Sequence, residues 1–174
     1  MRKADILIYN GLDLEIGYLP VLIESSKNPA IQPGKAGNLD CSRYVAPIER
    51  LPSADRSMGD VHPLGNPHYI YSPKNIFRVA EGITEVLSAV DSVNAVFYME
   101  SFAAFKERFN KKQAEWGKGQ LKEKKFIAYH NMFSYLSSEF GFQIKGYIEA
   151  KPGIPPSAGH IEGLIEAMKR ERPD

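Results

Sequence analysis

The sequence predicts an α/β chain organised around parallel strands, on three observations. Residues 124–174 run strand, helix, strand, helix, the order of βαβ units. Residues 75–124 hold a long amphipathic stretch with few helix breakers. Near the N-terminus, ADILIYNG is a short apolar run that stops at Asn-Gly, as a buried strand does on entering a turn.

The strand ADILIYNG (4–11) is followed by LDLEIGYLPVLIESSKN (12–28), whose apolar residues recur at near-helical spacing. Asp13 and Glu15 lie near its start, where a helix dipole favours negative charge, and Pro20 kinks or divides it. Residues 29–43, rich in Gly and Pro, read as loop. Residues 43–58 read as a brief extended piece and then polar loop. The next run, GDVHPLGNPHYIYSP (59–73), carries three prolines, two glycines and two histidines, and suits neither a helix nor a central strand.

Beyond Pro73, residues Ile76, Val79, Ile83, Val86 and Leu87 fall on one helical face. After Asp91-Ser92 a second series follows: Phe97, Phe102, Phe105, Phe109 and Trp116. The stretch is either one spine joining two lobes or two helices broken near Asp91, and its aromatic stripe is core packing. KKFIAYH (124–130) is a strand by composition. NMFSYLSSEFG (131–141) is a helix with Gly141 as its C-terminal stop, and FQIKGYIEA (142–150) is a second strand. KPGIPPSAG (151–159) is a turn-rich loop, and Ser157 is placed to cap a last helix that ends in basic residues. One strong strand before the helical stretch and two after it are few for a stable parallel sheet.

The 174 residues suffice for one domain or two small halves. With 22 basic and 21 acidic residues the net charge is +1, which gives no electrostatic reason to expect nucleic acid or an anionic membrane as partner. No apolar run approaches the ~20 residues that cross a bilayer. MRKADILIYNGLDLE is not read as a signal peptide, because its apolar run is about five residues against the roughly 7–15 required. Cys41 is the only cysteine, so no internal disulfide can form, and it reads as a buried or incidental thiol.

Two of the four histidines, His62 and His68, sit in the proline-stiffened loop. Rigidity suits a metal ligand, since less freedom is lost on binding. His130 ends a strand that turns into a helix, and open α/β sheets bind ligands beyond the carboxyl ends of their strands. Neutral imidazole suits zinc and other borderline divalent ions. The spacing HxxxxxH is by itself also that of two surface or capping histidines, and His160, opening the last helix, reads as a surface or capping residue. HExxH, CxxC, GxSxG, Walker and GxGxxG motifs are all absent. Of the carboxylates Glu100, Glu139 and Glu149, nothing pairs any two, and Glu149 stands out only because it ends a strand.

Taken in order, ADILIYNGLDLE, GNPHYIYSP, the long helical stretch, FIAYHNMFSYLSSEFG and GYIEAKPGIPPSAGHIEGLIEAMK resemble the metal-binding (zinc/manganese-type) periplasmic solute-binding proteins of ABC transporters, over nearly the whole chain. The resemblance implies two Rossmann-like parallel-sheet lobes joined by a long backbone helix, with a metal held between them. The corresponding division is 1–73 for part of the first lobe, 74–123 for the linking helix and 124–174 for part of the second. It implies that His68, in the NPH motif, and His130, after the strand, are ligands. A histidine at position 130 rather than glutamate looks like the zinc-type members, with manganese as the alternative. His62, in a GDVHP extension, is an auxiliary ligand or a supporting group. Where the family usually has aspartate before the second proline, this chain has Ser72, a departure expected to weaken a local hydrogen bond or cap.

The resemblance further implies ligands outside these residues, a histidine before ADILIYNG and a carboxylate beyond the last helix, along with a signal peptide. The expectation is therefore an internal fragment with both lobes incomplete, extracytoplasmic, delivering its ion to a membrane permease, with no bond made or broken and hence no enzyme. Open sheet edges lead to an expectation of homodimers or swapped elements. Two rival readings remain. One is a metal-dependent hydrolase, for which no general base is evident beside His68 or His130. The other is a structural or adhesion domain with incidental histidines.

Overall fold

Strand β1 (Leu7–Tyr9) ends where Asn10-Gly11 breaks the extended backbone. Leu12 and Asp13 then both take left-handed conformations, with φ of 56° and 62°. The turn is held by Glu15, whose carboxylate accepts from the N–H groups of Asn10 (2.9 Å) and Gly11 (3.1 Å). Glu15 therefore serves this turn rather than a helix dipole. Helix α1 (Leu19–Ser26) is shorter than the periodicity of 12–28 suggests. Pro20 explains why: it fits only the first turn of a helix, where no backbone donor is needed. The structure, a computed structural model, describes residues 1–53, 58–59, 61–117 and 119–174. The polar-loop reading of 54–57, and positions 60 and 118 of the histidine loop and the helical stretch, lie outside the described residues.

Strand β2 (Asn38–Asp40) pairs with β1 in parallel, Leu7 opposite Asn38 and Tyr9 opposite Asp40. It lies within the segment read as loop. Only Leu39 of its three residues reaches the core, while its polar neighbours satisfy other groups. The Asn38 amide donates to Ile31 O, and the Asp40 carboxylate accepts from the N–H and hydroxyl of Ser42.

The long helical stretch is two helices, α2 (Pro73–Val90) and α3 (Ala95–Trp116), separated by a 3₁₀ turn over Ser92–Asn94. Of the two readings of this stretch, the one with a break near Asp91 is the one that forms. Asp91 stops α2, and its carboxylate accepts from the Asn94 amide (2.8 Å) and the Tyr98 hydroxyl (2.7 Å), which ties down the turn. The helices fold back on each other, bringing the Phe77 ring 5.5 Å from that of Phe102 and 6.2 Å from that of Phe109. Phe105, Phe109 and Trp116 continue this aromatic stack. Phe97 leaves it and is 65% exposed. Val79, Ile83 and Val86 of α2 pack on the core. At the start of α2, Ser72 is almost fully buried and makes the cap that its departure from aspartate put in question. Its hydroxyl accepts from Asn75 N–H and donates to the Glu139 carboxylate, while Pro73 occupies the first helical turn.

The remaining chain is β3 (Lys125–Ala128), α4 (Ser134–Phe140), β4 (Gln143–Tyr147) and α5 (Ala158–Glu171). β3 and β4 are parallel, Lys125 opposite Gln143 and Ala128 opposite Tyr147, with an irregularity at Phe126/Ile127. Gly141 ends α4 at φ 71°, as the sequence predicts, and the Ser157 hydroxyl caps α5. α5 lies so close to β4 that a Cβ on Gly146 would meet Leu164 at 2.6 Å. The architecture is thus mixed α/β, with two small parallel sheets and long helices between them in sequence.

One cluster unites the parts: Leu12, Leu39, Cys41, Val45 and Tyr69 from the first half, and Tyr135 from α4. The Tyr135 hydroxyl donates to Asn66 O (2.8 Å) and accepts from Ile48 N–H (3.2 Å). Burial pushes the Cys41 thiol up to about 11, with Asp40 and Glu15 adding to the effect, so it is the inert buried thiol expected. No helix among the described residues is long and apolar enough to cross a membrane.

Candidate metal centre

The parallel register places the site. Residues just beyond the carboxyl ends of β3 and β4 emerge at one edge, and there the chain carries His130 and Glu149. His68 arrives from the proline-rich loop, which is anchored by the Asn10 amide donating to Pro67 O (2.9 Å). The two imidazoles, 62 residues apart in sequence (130 − 68), have ring centroids 5.0 Å apart at an interplanar angle of 68°. Both line a cavity of about 380 Å³, together with His62, Glu49, Tyr147 and Glu149. A zinc ion ~2.0–2.1 Å from one nitrogen of each ring, at a tetrahedral angle, sets the centroids about 5 Å apart. The observed centroid separation matches that spacing.

Asn66 knits the site together. Its amide donates to the Glu49 carboxylate (2.9 Å) and to Asn131 O (3.0 Å), and its oxygen accepts from His68 N–H (2.9 Å). Asn131, next to His130, donates its own amide to Glu49 (2.8 Å). Glu49 takes a left-handed backbone, φ 56°, a conformation that a non-glycine residue keeps only where its surroundings impose it.

Electrostatics keep His68 neutral. Burial pulls its pKa down to about 4, neighbouring His130 and His62 act in the same direction, and Glu49 opposes them. A neutral imidazole is the form that binds a metal. Glu149 is held below the usual carboxylate range mainly by its hydrogen bond from His130, burial opposing and the Gly153 N–H assisting.

Of the sequence-predicted residues, His68 and His130 are brought face to face, and His62 lines the same cavity. His160 is elsewhere: its Nε2–H donates to Tyr147 O (2.8 Å), tying α5 to the end of β4. Glu139 is engaged by Ser72, and Glu100 is exposed on α3. Asn66, Asn131 and Glu49 were missed, and no spacing rule flags an amide whose partners come from two distant loops. Among the described residues, no three His, Cys, Asp or Glu side chains stand together as a ready-made ion site. A second cavity, about 370 Å³ beside Tyr9, Asp40 and α1, is lined by no imidazole.

The profile of the family described as zinc-uptake complex component A, periplasmic, matches residues 1–173. The zinc-binding lipoprotein AdcA of Streptococcus pneumoniae (strain R6) is 24% identical over 182 residues, covering 99% of this chain and 34% of that protein. The manganese ABC transporter substrate-binding lipoprotein PsaA of Streptococcus pneumoniae is 22% identical over 174 residues, covering 98% of this chain and 54% of that protein. The crystal structure of ZnuA superposes with a TM-score of 0.72 at 24% identity, over 98% of this chain and 60% of that one, and shares its fold. The chain thus spans between about a third and three fifths of the proteins it matches. With two parallel sheets bridged by helices and paired imidazoles where the halves meet, the chain belongs to the family of periplasmic zinc-uptake component A.

Proposed function

We propose that this chain captures a divalent transition metal, zinc foremost and manganese as the alternative, outside the cytoplasm, for delivery to the membrane permease of an ABC transporter. The division into a first lobe (1–73), a helical link (74–123) and a second lobe (124–174) belongs to the same reading, with His68 and His130 as ligands and His62 as an auxiliary one. The observation that carries it is the approach of the His68 and His130 rings to 5.0 Å across one cavity. Family membership supports capture and transport rather than turnover, and the named relatives AdcA and PsaA support zinc and manganese respectively. Two imidazoles bind zinc more weakly than a full tetrahedral set, because water takes the remaining positions.

A thermal-shift measurement tests the reading. Zinc is expected to raise the Tm of the wild type, since a ligand of the folded state stabilises it by mass action. His68→Ala and His130→Ala are each expected to abolish the rise, His62→Ala to reduce it, and manganese to give a smaller one. A rise that persists in both alanine variants would remove the shared site.

The sheets motivate a second element of the proposal. Each has only two strands among the described residues, so every strand is an edge strand. We infer that a second copy pairs along these edges. Light scattering is expected to give a mass that climbs towards the dimer as concentration rises, and a constant monomer mass would refute it.

A further inference from the structure

We infer that Glu149 is a positioning residue for metal capture: it holds His130 in the Nδ1–H tautomer and thereby makes Nε2 the nitrogen offered to an ion. The inference rests on the zinc-capture reading for its ligand, but not for its tautomer.

The backbone itself creates the pair. Ala128 and Tyr147 are opposite in the parallel register. The ladder then continues past the strands, with Ile148 N–H donating to Ala128 O (2.9 Å) and Glu149 N–H to Tyr129 O (2.8 Å). His130 and Glu149, each two residues beyond its strand, are thereby delivered to one another. The side chains are 21% and 12% exposed, and Glu149 Oε2 meets His130 Nδ1. The other carboxylate oxygen, Oε1, accepts from Gly153 N–H (3.0 Å), which pins the carboxylate against the following loop.

An ionised carboxylate only accepts hydrogen bonds, so the proton between the two groups belongs to His130 Nδ1, and the ring's lone pair is left on Nε2. A carboxylate engaged at Nδ1 lies on the far side of the ring from Nε2. It strengthens Nε2 as a donor to metal without itself reaching the ion. This accounts for a carboxylate in the cavity that does not complete a three-ligand cluster among the described residues.

His68 follows the same logic with a neutral partner. The Asn66 Nδ2 group faces two acceptors, Glu49 Oε2 and Asn131 O, and its oxygen already accepts from His68 N–H. The 2.9 Å contact between that oxygen and His68 Nδ1 is therefore also an N–H donated by the ring. Both imidazoles, on unrelated loops, are fixed as Nδ1–H and offer Nε2. The difference between them is charge: only His130 is backed by a carboxylate.

Nitrogen-15 NMR of the imidazoles in the metal-free protein, at about pH 8 and so above the ordinary imidazole range, reads the tautomer directly. Zinc affinity follows from competition with a chelating dye. The wild type and Glu149→Gln, which keeps an acceptor oxygen, are expected to show His130 protonated on Nδ1. Glu149→Leu is expected to move that proton to Nε2 and to weaken zinc binding about 10–100-fold, with Glu149→Gln losing less. His130 protonated on Nε2 in the wild type, zinc affinity unchanged in Glu149→Leu, or equal losses in the Gln and Leu variants (the behaviour of a direct ligand) would overturn the inference and leave metal capture standing. A wild type with the Nδ1–H tautomer but no zinc binding would overturn capture and leave the tautomer assignment in place. Should the Leu variant fail to fold, the wild-type tautomer and the Gln variant still decide the question.

Discussion

His68 shows how much a single side chain contributes before any ion arrives. Its folded pKa of about 4 lies below the ordinary imidazole value of 6.5. Between those values the unfolded chain binds a proton that the folded chain refuses, so stability is full above about pH 6.5 and falls as pH drops towards 4. The urea midpoint of the metal-free protein is therefore expected to be lower at about pH 5 than at about pH 7.5, and His68→Gln to flatten part of that slope. Partial exposure of the ring makes the loss smaller than the shift alone implies. A slope identical in the variant would show that other groups drive it. At this scale the histidines were legible because they are few and sit in a stiff loop and at a strand end. Asn66 and Glu49 were not, because an amide's role depends on which loops surround it rather than on its neighbours in sequence.

Among the elements, α2 contains the sharpest test of packing. Gly82 faces the ring of Tyr44: an added Cβ would lie 2.2 Å from Cζ, and the Tyr44 hydroxyl reaches Gly82 O at 3.3 Å. Replacing a helical glycine by alanine ordinarily gains ~0.5–1 kcal/mol. Overpacking at a close contact costs ~1–3 kcal/mol, so the clash wins. Gly82→Ala is expected to destabilise the protein by about 1–2 kcal/mol in urea unfolding, and a gain in stability would show that the ring moves aside freely. The apolar face of α2, the stop at Gly141 and the Ser157 cap were readable because they rest on local periodicity and capping chemistry. β2 was hidden because a three-residue strand with one buried side chain has no period to detect. The choice between one rod and two helices turned on Asp91, whose bonds to Asn94 and Tyr98 favour the turn and whose partner helices then bury Phe77 against Phe102 and Phe109.

At the scale of the whole molecule, Tyr135 connects the halves. It is 5% exposed, comes from α4, and packs among residues of the first half. Its hydroxyl bonds Asn66 O and Ile48 N–H, so Tyr135→Phe takes this partner from a buried carbonyl and a partly buried N–H. A loss of about 1–3 kcal/mol in urea unfolding is expected, with a parallel drop in zinc affinity because Asn66 holds both His68 and the Asn131 loop. Unfolding unchanged within error would show that the halves dock without this bond.

Local chemistry along the chain was enough to identify the α/β class and most helices, since propensity, caps and periodicity act over a few residues, whereas joining His68 with His130 in one site came from the family resemblance. Which of those groups meet was decided by long-range packing alone. The Glu149–His130 pair depends on the register of β3 and β4, the Asn66 hub on a loop folded against α4, and the doubled-back helices on aromatic burial. Each of these is a contact between residues distant in the chain, formed only once burial elsewhere offsets the entropy of bringing them together.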